Sequence, residues 1–160
     1  MRPVINLRHL EENNLHLKDE MSPEEMDVDT MDELIHVNRP LNYDLAAQRM
    51  EGGVLVQGSL KVVLDCQCSR CLKDFRHTLT LPNWVCHLAL TGDEPAKVVN
   101  DCIDLTPYVR DDIVLAFPQR PLCDPECKGL VSIVNKKKPG KAAQADEAST
   151  PWAELNKLKL

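Results

Sequence analysis

The sequence predicts an α+β fold that is mostly antiparallel β-sheet with one or two packed helices. Three observations support this prediction. Long segments alternate between apolar and polar residues, one segment has apolar residues at helical spacing, and a short-spaced cysteine pair stands on either side of that segment. The 160 residues suit a single domain, which we expect to span residues 1–135.

The strand candidates begin near the N-terminus and are clearest in the middle of the chain. Residues 4–7 form a plausible short strand, and residues 41–50 are compatible with a strand or a short helix. A turn at Gly52 precedes residues 54–68. These residues are the strongest strand candidate, because alternate residues from Leu60 onward are apolar. Gly58 is a candidate for a β-bulge within this strand.

The chain is then expected to turn back as a strand and to continue into a helix. Residues 75–90 predict the second strand of a hairpin, with Pro82 at an edge or a break. A helix is predicted from Thr106, which can cap it, until Pro118 ends it. Its predicted apolar stripe consists of Val109, Ile113, Val114 and Phe117. The residues predicted to face solvent are Arg110, Asp111 and Asp112.

Charge is distributed unevenly along the chain. Residues 11–36 contain ten acidic residues and one base, a charge of −9, which leaves +3 for the rest of the chain. This acidic segment predicts a solvated loop or a short helix capped by Ser22, and the alternative is a docking surface for a basic partner. Residues 136–160 predict a basic flexible tail with a short C-terminal helix, and its lysines could contact phosphates.

Composition excludes several classes of protein. A net charge of −6 argues against coating nucleic acid by bulk charge, and an aromatic content of 4% argues against a base-stacking platform. Because the sequence has neither a signal-peptide pattern nor an apolar run of membrane-spanning length, we expect a cytoplasmic protein with reduced thiols. No nucleophilic triad, phosphate-binding glycine loop or spaced carboxylate pair stands out, so we expect no enzyme.

Four of the seven cysteines stand in two short-spaced pairs, an arrangement that is typical of metal-binding or redox sites. Cys68 and Cys71 form a C-x2-C pair, and Cys123 and Cys127 form a C-x3-C pair. Two such pairs can supply the four ligands of a tetrahedral zinc site, which here would join the hairpin tip to the post-helix loop. Merely buried cysteines and thiol redox chemistry remain the alternatives. The cysteines expected in the core are Cys66, Cys86 and Cys102, and His77 is expected to be a surface strand histidine.

Basic residues surround the two cysteine pairs. Four thiolates on a zinc ion carry a charge of −2, which nearby cations would offset. The bases that stand closest in sequence are Arg70, Lys73, Arg76, Arg120 and Lys128. They predict a locally basic patch on an acidic protein. The candidate RNA- or partner-binding residues among them are Arg70, Lys73, Arg76 and Lys128.

The ordered motifs around these residues resemble the YceD family of large ribosomal RNA subunit accumulation proteins. The stretches that carry the resemblance are residues 63–72 (VLDCQCSRCL), 103–105 (IDL), 110–118 (RDDIVLAFP), 121–123 (PLC), 127–130 (CKGL) and 152–155 (WAEL). Many members of the family continue with a further C-x2-C-G, whereas residues 131–135 here contain no cysteine. The departure leaves Cys68, Cys71, Cys123 and Cys127 as the metal-ligand quartet.

The resemblance implies a bacterial, non-enzymatic factor that supports 23S ribosomal RNA accumulation and large-subunit assembly. Its implied partner is ribosomal RNA or a pre-large-subunit particle, and neither a membrane nor a small-molecule substrate is expected. Alternatives are a protein-binding module or chaperone for a basic large-subunit ribosomal protein, a thiol redox protein, and an RNA-processing nuclease.

Overall fold

The computed structural model describes residues 1–28, 33–92 and 95–130, so the predicted tail at residues 136–160 lies outside the described residues. Its strands are β1 (Val4–Asn6), β2 (Leu15–Met21), β3 (Ile35–His36), β4 (Leu41–Met50), β5 (Gly53–Gln67), β6 (Asp74–Ala89), β7 (Val98–Val99) and β8 (Cys102–Asp104). Its helices are α1 (Leu7–Glu12), α2 (Pro23–Met26) and α3 (Thr106–Leu115). The strands pair antiparallel throughout, which confirms the predicted α+β class.

The long strand β5 organises the larger sheet. One edge of β5 pairs with β4 along its first part and with β3 near its end, and its other edge pairs with β6 along its length. Strand β2 pairs with the outer edge of β4, and a separate small sheet has the order β1-β8-β7. The C-terminal end of β5 and the start of β6 therefore form the tip of a long hairpin.

The core lies against one face of β4 and β5. Leu60, Val62, Leu64 and Cys66 alternate along β5 and are all buried, as their sequence pattern predicts. Helix α3 contributes Val109 and Ile113 to the same core cluster. Because α3 is held on this core, the chain that follows it is directed to a fixed place near the hairpin tip.

The bulge predicted at Gly58 of β5 was wrong, because the extra residue lies in β6, where Pro82 and Asn83 stand opposite Ser59 alone. The register between β5 and β6 shifts between Gly58 and Leu60. A Cβ atom at Gly58 would lie 2.0 Å from the carbonyl oxygen of Asp44, so no larger residue fits without backbone movement. The glycine is required by this contact with β4 rather than by its own torsion angles.

The prediction of a solvated loop or short helix for the acidic segment was wrong in part. Residues 15–21 form β2, because Leu17 and Met21 pack on the core while intervening polar residues face solvent. The predicted cap is confirmed, since Ser22 and Glu25 form a complete capping box at the start of α2. Residues 29–32 of this segment lie outside the described residues.

Three details of the predicted helix α3 were also wrong. Thr106 does not cap the helix with its side chain; the carboxylate of Asp104 instead accepts from the Thr106 amide at 2.8 Å. Asp112 does not simply face solvent, because its carboxylate accepts a 2.6 Å hydrogen bond from Trp84 Nε1 on β6. Val114 is 42% exposed rather than part of the buried stripe. Tertiary contacts decided which helix face is buried, since β6 meets α3 on the side that carries Asp112.

Candidate metal centre

The first cysteine pair is shaped by the turn between β5 and β6. Cys68 follows the last residue of β5, and its amide donates to the Lys73 carbonyl at 2.9 Å. The Leu72 amide donates in turn to the Cys68 carbonyl at 2.9 Å. These two hydrogen bonds close a compact turn that holds Cys68 and Cys71 on the same side.

The second cysteine pair is shaped by a loop that follows α3. The Asp124 carboxylate accepts from the Glu126 amide at 2.8 Å, and the Asp124 carbonyl accepts from the Cys127 amide at 3.0 Å. An aspartate that folds back on the amide two residues later makes an Asx turn. This turn brings Cys127 back towards Cys123 although three residues separate them.

Hydrogen bonds join the two cysteine-bearing segments directly. The Ser69 amide donates to the Pro121 carbonyl at 2.9 Å, and Arg70 Nη1 donates to the Cys127 carbonyl at 2.9 Å. Gly129 lies close to Arg70, since a Cβ atom on Gly129 would be 3.3 Å from the Arg70 carbonyl oxygen. The hairpin tip and the post-helix loop therefore meet as the sequence predicts.

The four sulfur atoms have the spacing of a tetrahedral metal site. Cys68 Sγ lies 3.8 Å from Cys127 Sγ, and Cys71 Sγ lies 3.6 Å from Cys123 Sγ. All four sulfur atoms lie within 4.8 Å of one another. A tetrahedron with zinc–sulfur bonds of about 2.3 Å has edges of about 3.8 Å. The donor set and its dimensions both fit zinc, with one ligand pair from each segment.

The electrostatics of the cluster favour a bound cation. Backbone hydrogen bonds, above all the one from Cys123, lower the pKa of Cys68 to about 6, so this sulfur ionises readily. The side-chain hydrogen bond between Cys123 and Cys71, followed by burial, raises the pKa of Cys123 to about 12. A second thiolate beside that of Cys68 is unfavourable in this half-buried site, and a divalent cation would remove the repulsion between such thiolates.

The four predicted RNA- or partner-binding residues lie in the segments that build the cluster. Arg70, Lys73 and Lys128 are exposed at this end of the molecule. Arg76 is also exposed, but its Nε lies 3.8 Å from a carboxylate oxygen of Asp65, so part of its charge is balanced. Exposed acidic residues share this end of the molecule, namely Asp74, Asp124 and Glu126. The surface is therefore of mixed charge, with its bases concentrated at the hairpin tip.

The remaining cysteines lie outside the cluster. Cys66 is buried in the core, as predicted. Cys86 and Cys102 are half-buried rather than fully enclosed, and burial raises the pKa of Cys86. His77 is half-buried on β6, opposite Leu64 of β5. Sequence reasoning missed the Asx turn of Asp124 and the contact of Pro121 with Ser69; the Asp-Pro-Glu sequence was the available signal for the first.

The fold and the cluster define a class of small, mainly antiparallel β proteins with a four-cysteine candidate metal site that ties a hairpin to a post-helix loop. The model of the family described as "Large ribosomal RNA subunit accumulation protein YceD" matches residues 56–159. This match covers more than half of the chain and includes all four cysteines. The protein belongs to the YceD family.

Curated relatives occur among mycobacteria and are described as uncharacterized proteins. The relatives from Mycobacterium bovis and Mycobacterium tuberculosis are each 31% identical over 98 residues, which is 56% of this chain and 47% of the relative. The relative from Mycobacterium leprae is 26% identical over 105 residues, which is 61% of this chain and 48% of the relative. The chain spans about half the length of the curated relatives it matches. No solved structure matches it with significance.

No catalytic activity is named in the family's description, which refers to the accumulation of large-subunit ribosomal RNA. Within the part of the chain that the structure describes, no helix has the length and apolar character needed to cross a membrane.

Proposed function

We propose that this protein is a non-enzymatic ribosome-biogenesis factor that supports accumulation of 23S ribosomal RNA during large-subunit assembly. Membership of the YceD family supports the connection with large-subunit RNA. In the proposal, Cys68, Cys71, Cys123 and Cys127 hold a zinc ion that fixes the hairpin tip against the post-helix loop. The bound zinc supplies structure only, because all four of its positions are filled by cysteine.

The RNA contact is assigned to the bases beside the cluster. Arg70, Lys73, Arg76 and Lys128 would bind phosphate oxygens of ribosomal RNA or of a pre-large-subunit particle. The observation that carries this part of the proposal is the hydrogen bond of Arg70 to the Cys127 carbonyl. One donor of the guanidinium fixes its position, and a guanidinium has further N–H donors for a phosphate. Formation of the cysteine cluster therefore also fixes the position of the Arg70 side chain.

The proposal is tested in a bacterial strain from which the gene for this chain has been deleted. We expect the deletion to lower the ratio of 23S to 16S ribosomal RNA, and the wild-type protein to sediment with pre-large-subunit particles. A Cys123→Ser variant and a variant with all four proposed bases changed to Glu should both fail to restore the ratio.

The control for the charge changes is Lys61→Glu. Lys61 is exposed on β5 and faces a different surface, beside Lys18 and Asp44. It should restore the ratio as well as the wild-type protein does. A normal 23S to 16S ratio in the deletion strain would exclude the proposed function.

A second candidate function is binding of a basic large-subunit ribosomal protein. The specific observation in its favour is a group of exposed carboxylates on β2, α2 and the residue after α2, namely Asp19, Glu20, Glu24 and Asp27. These carboxylates offer charge complementarity to a basic protein. Pulldown of purified large-subunit proteins in the absence of RNA tests this function, and a Glu20→Lys, Glu24→Lys variant should lose the captured protein.

The third alternative, thiol redox chemistry, finds less support in the geometry. Cys68 has the lowered pKa that a reactive thiol needs, but its side chain is completely buried. A thiolate that no substrate can approach is better suited to hold a metal ion than to attack a disulfide.

A further inference from the structure

Leu72 combines three properties that rarely occur together in a leucine. It is 53% exposed, it stands directly after Cys71 at the hairpin tip, and its φ angle of 59° lies in the left-handed region. In this region the side chain of an L-residue crowds the following carbonyl group, so bulky residues seldom adopt it. A buried apolar contact would explain such a conformation, but this side chain is largely in solvent.

The other left-handed residues show what the fold ordinarily uses at such positions. Among the described residues, the non-glycine residues with positive φ are Asp27, Leu72, Asn100 and Asp101. Aspartate and asparagine tolerate this conformation because their short side chains hydrogen-bond locally. In the second cysteine segment the left-handed position is taken by Gly129, with φ of 72°. Leu72 is therefore the exception, and its presence is not required by the turn itself.

The turn holds Leu72 rigidly between two cations. The Leu72 amide donates to the Cys68 carbonyl, and Lys73, the next residue, accepts from the Cys68 amide. Arg70 and Lys73 are both exposed, and Arg70 is anchored through Cys127. An apolar side chain is thus presented at the end of the hairpin, with an anchored cation two positions before it and an exposed cation directly after it.

We propose that Leu72 is a base-contacting wedge: it packs against the face of an unpaired RNA base while Arg70 and Lys73 bind the phosphates on either side of that base. This inference rests on the proposed function and names the RNA feature that the same site recognises. The cations select a polyanion, and apolar side chains are commonly inserted against unstacked bases. Such a contact uses the apolar face that every base has, so it recognises unpaired structure rather than sequence.

The test compares three variants of the zinc-loaded protein, each as the chain of residues 1–160, on two defined RNAs. The variants are Leu72→Gly, Leu72→Asn and Leu72→Met. The probes are a fluorescein-labelled RNA stem–loop with an unpaired loop and a blunt RNA duplex of the same length, both titrated by fluorescence anisotropy. Zinc content and the urea midpoint of unfolding are measured for each variant.

We expect Leu72→Gly and Leu72→Asn to weaken binding to the stem–loop by about fivefold or more and to leave duplex binding unchanged. Leu72→Met, which remains apolar, should retain binding to the stem–loop. Leu72→Gly should keep its zinc and unfold at the same or a higher urea concentration, because glycine adopts the left-handed conformation without crowding. Loss of binding together with undiminished stability is a result that a purely structural role of Leu72 does not produce.

Several results would overturn the inference. Wild-type binding of the stem–loop by Leu72→Gly would exclude the wedge. Equal losses on the stem–loop and the duplex would also exclude it. If Leu72→Gly keeps its RNA affinity but no longer sediments with pre-large-subunit particles, Leu72 contacts protein instead. If the charge changes at Arg70 and Lys73 abolish RNA binding while Leu72→Gly does not, the wedge fails and the proposed function stands.

Discussion

Removing the metal from the four-cysteine cluster is expected to lower the free energy of unfolding by about 4 kcal/mol. The figure follows from the loop that the metal closes in the unfolded chain. Cys71 and Cys123 are 52 positions apart, and a cross-link that closes a loop of that size removes chain entropy worth about 4 kcal/mol at 25 °C. The link between Cys68 and Cys127 encloses the first loop and adds little, because its ends are already held together.

The assay is urea unfolding of the zinc-loaded protein with and without prior treatment with a chelator. Single domains have total stabilities of about 5–15 kcal/mol, so a change of this size moves the transition clearly. With a slope of about 2 kcal/mol per molar urea, the midpoint should fall by about 2 M. Zinc content should be one ion per chain before treatment and zero after it.

The matched variants are Cys123→Ser and Cys102→Ser. Cys123→Ser should unfold like the chelator-treated protein without any treatment. Cys102→Ser changes a half-buried cysteine outside the cluster and should shift the midpoint by much less. A midpoint that chelation leaves unchanged would contradict the metal cross-link, as would two serine variants that both bind one zinc ion and are equally stable.

Three further predictions concern the fold outside the metal site. Gly58→Ala should destabilise the protein by about 3 kcal/mol in urea unfolding, because the new Cβ would collide with the Asp44 carbonyl; a loss under 1 kcal/mol would show that β4 yields easily. Trp84→Phe should lower the free energy of unfolding by about 2 kcal/mol, since it removes a 2.6 Å hydrogen bond to the Asp112 carboxylate. If this hydrogen bond accounts for the loss, adding Asp112→Asn to Trp84→Phe should lower the stability little further. Lys18 and His16 lower the pKa of Asp44, so this carboxylate stabilises the fold above the pKa it has in the unfolded chain, and the benefit disappears as pH falls through the folded pKa. Asp44→Asn should therefore reduce the loss of stability between neutral and acid pH, and an unchanged pH profile would argue against the ion pairs.

The β5–β6 hairpin can be predicted from the alternation of apolar and polar residues alone. Alternation from Leu60 onward predicts β5, and the returning strand is predicted to within a residue at each end, because a sheet with one buried face repeats every second residue. The bulge that the residue type of Gly58 suggested lies instead at Pro82 and Asn83 of β6. The prediction succeeds where burial on one face leaves a regular signal in the sequence.

The strand within the acidic segment cannot be predicted from the pattern of apolar and polar residues. Strand β2 contains Leu15, Leu17 and Met21, which are separated by charged residues and resemble a solvated loop. This strand exists because β4 offers it a free edge and the core accepts its three apolar side chains. Neither the pairing with β4 nor the burial in the core can be read from residues 15–21 alone, so their local sequence does not predict a strand.

The amino-acid sequence alone is enough to identify the four cysteines, their two spacings, the hairpin and the family to which the chain belongs. These features are local, or they are short motifs in a fixed order, and they do not depend on how the elements are placed. The folded chain was needed to show that the four sulfur atoms meet at tetrahedral distances, that Asp112 turns towards Trp84, and that Leu72 occupies a left-handed position in solvent. The sulfur cluster and the Trp84–Asp112 contact depend on contacts between distant parts of the chain, whereas the conformation of Leu72 is set within the turn between Cys68 and Lys73.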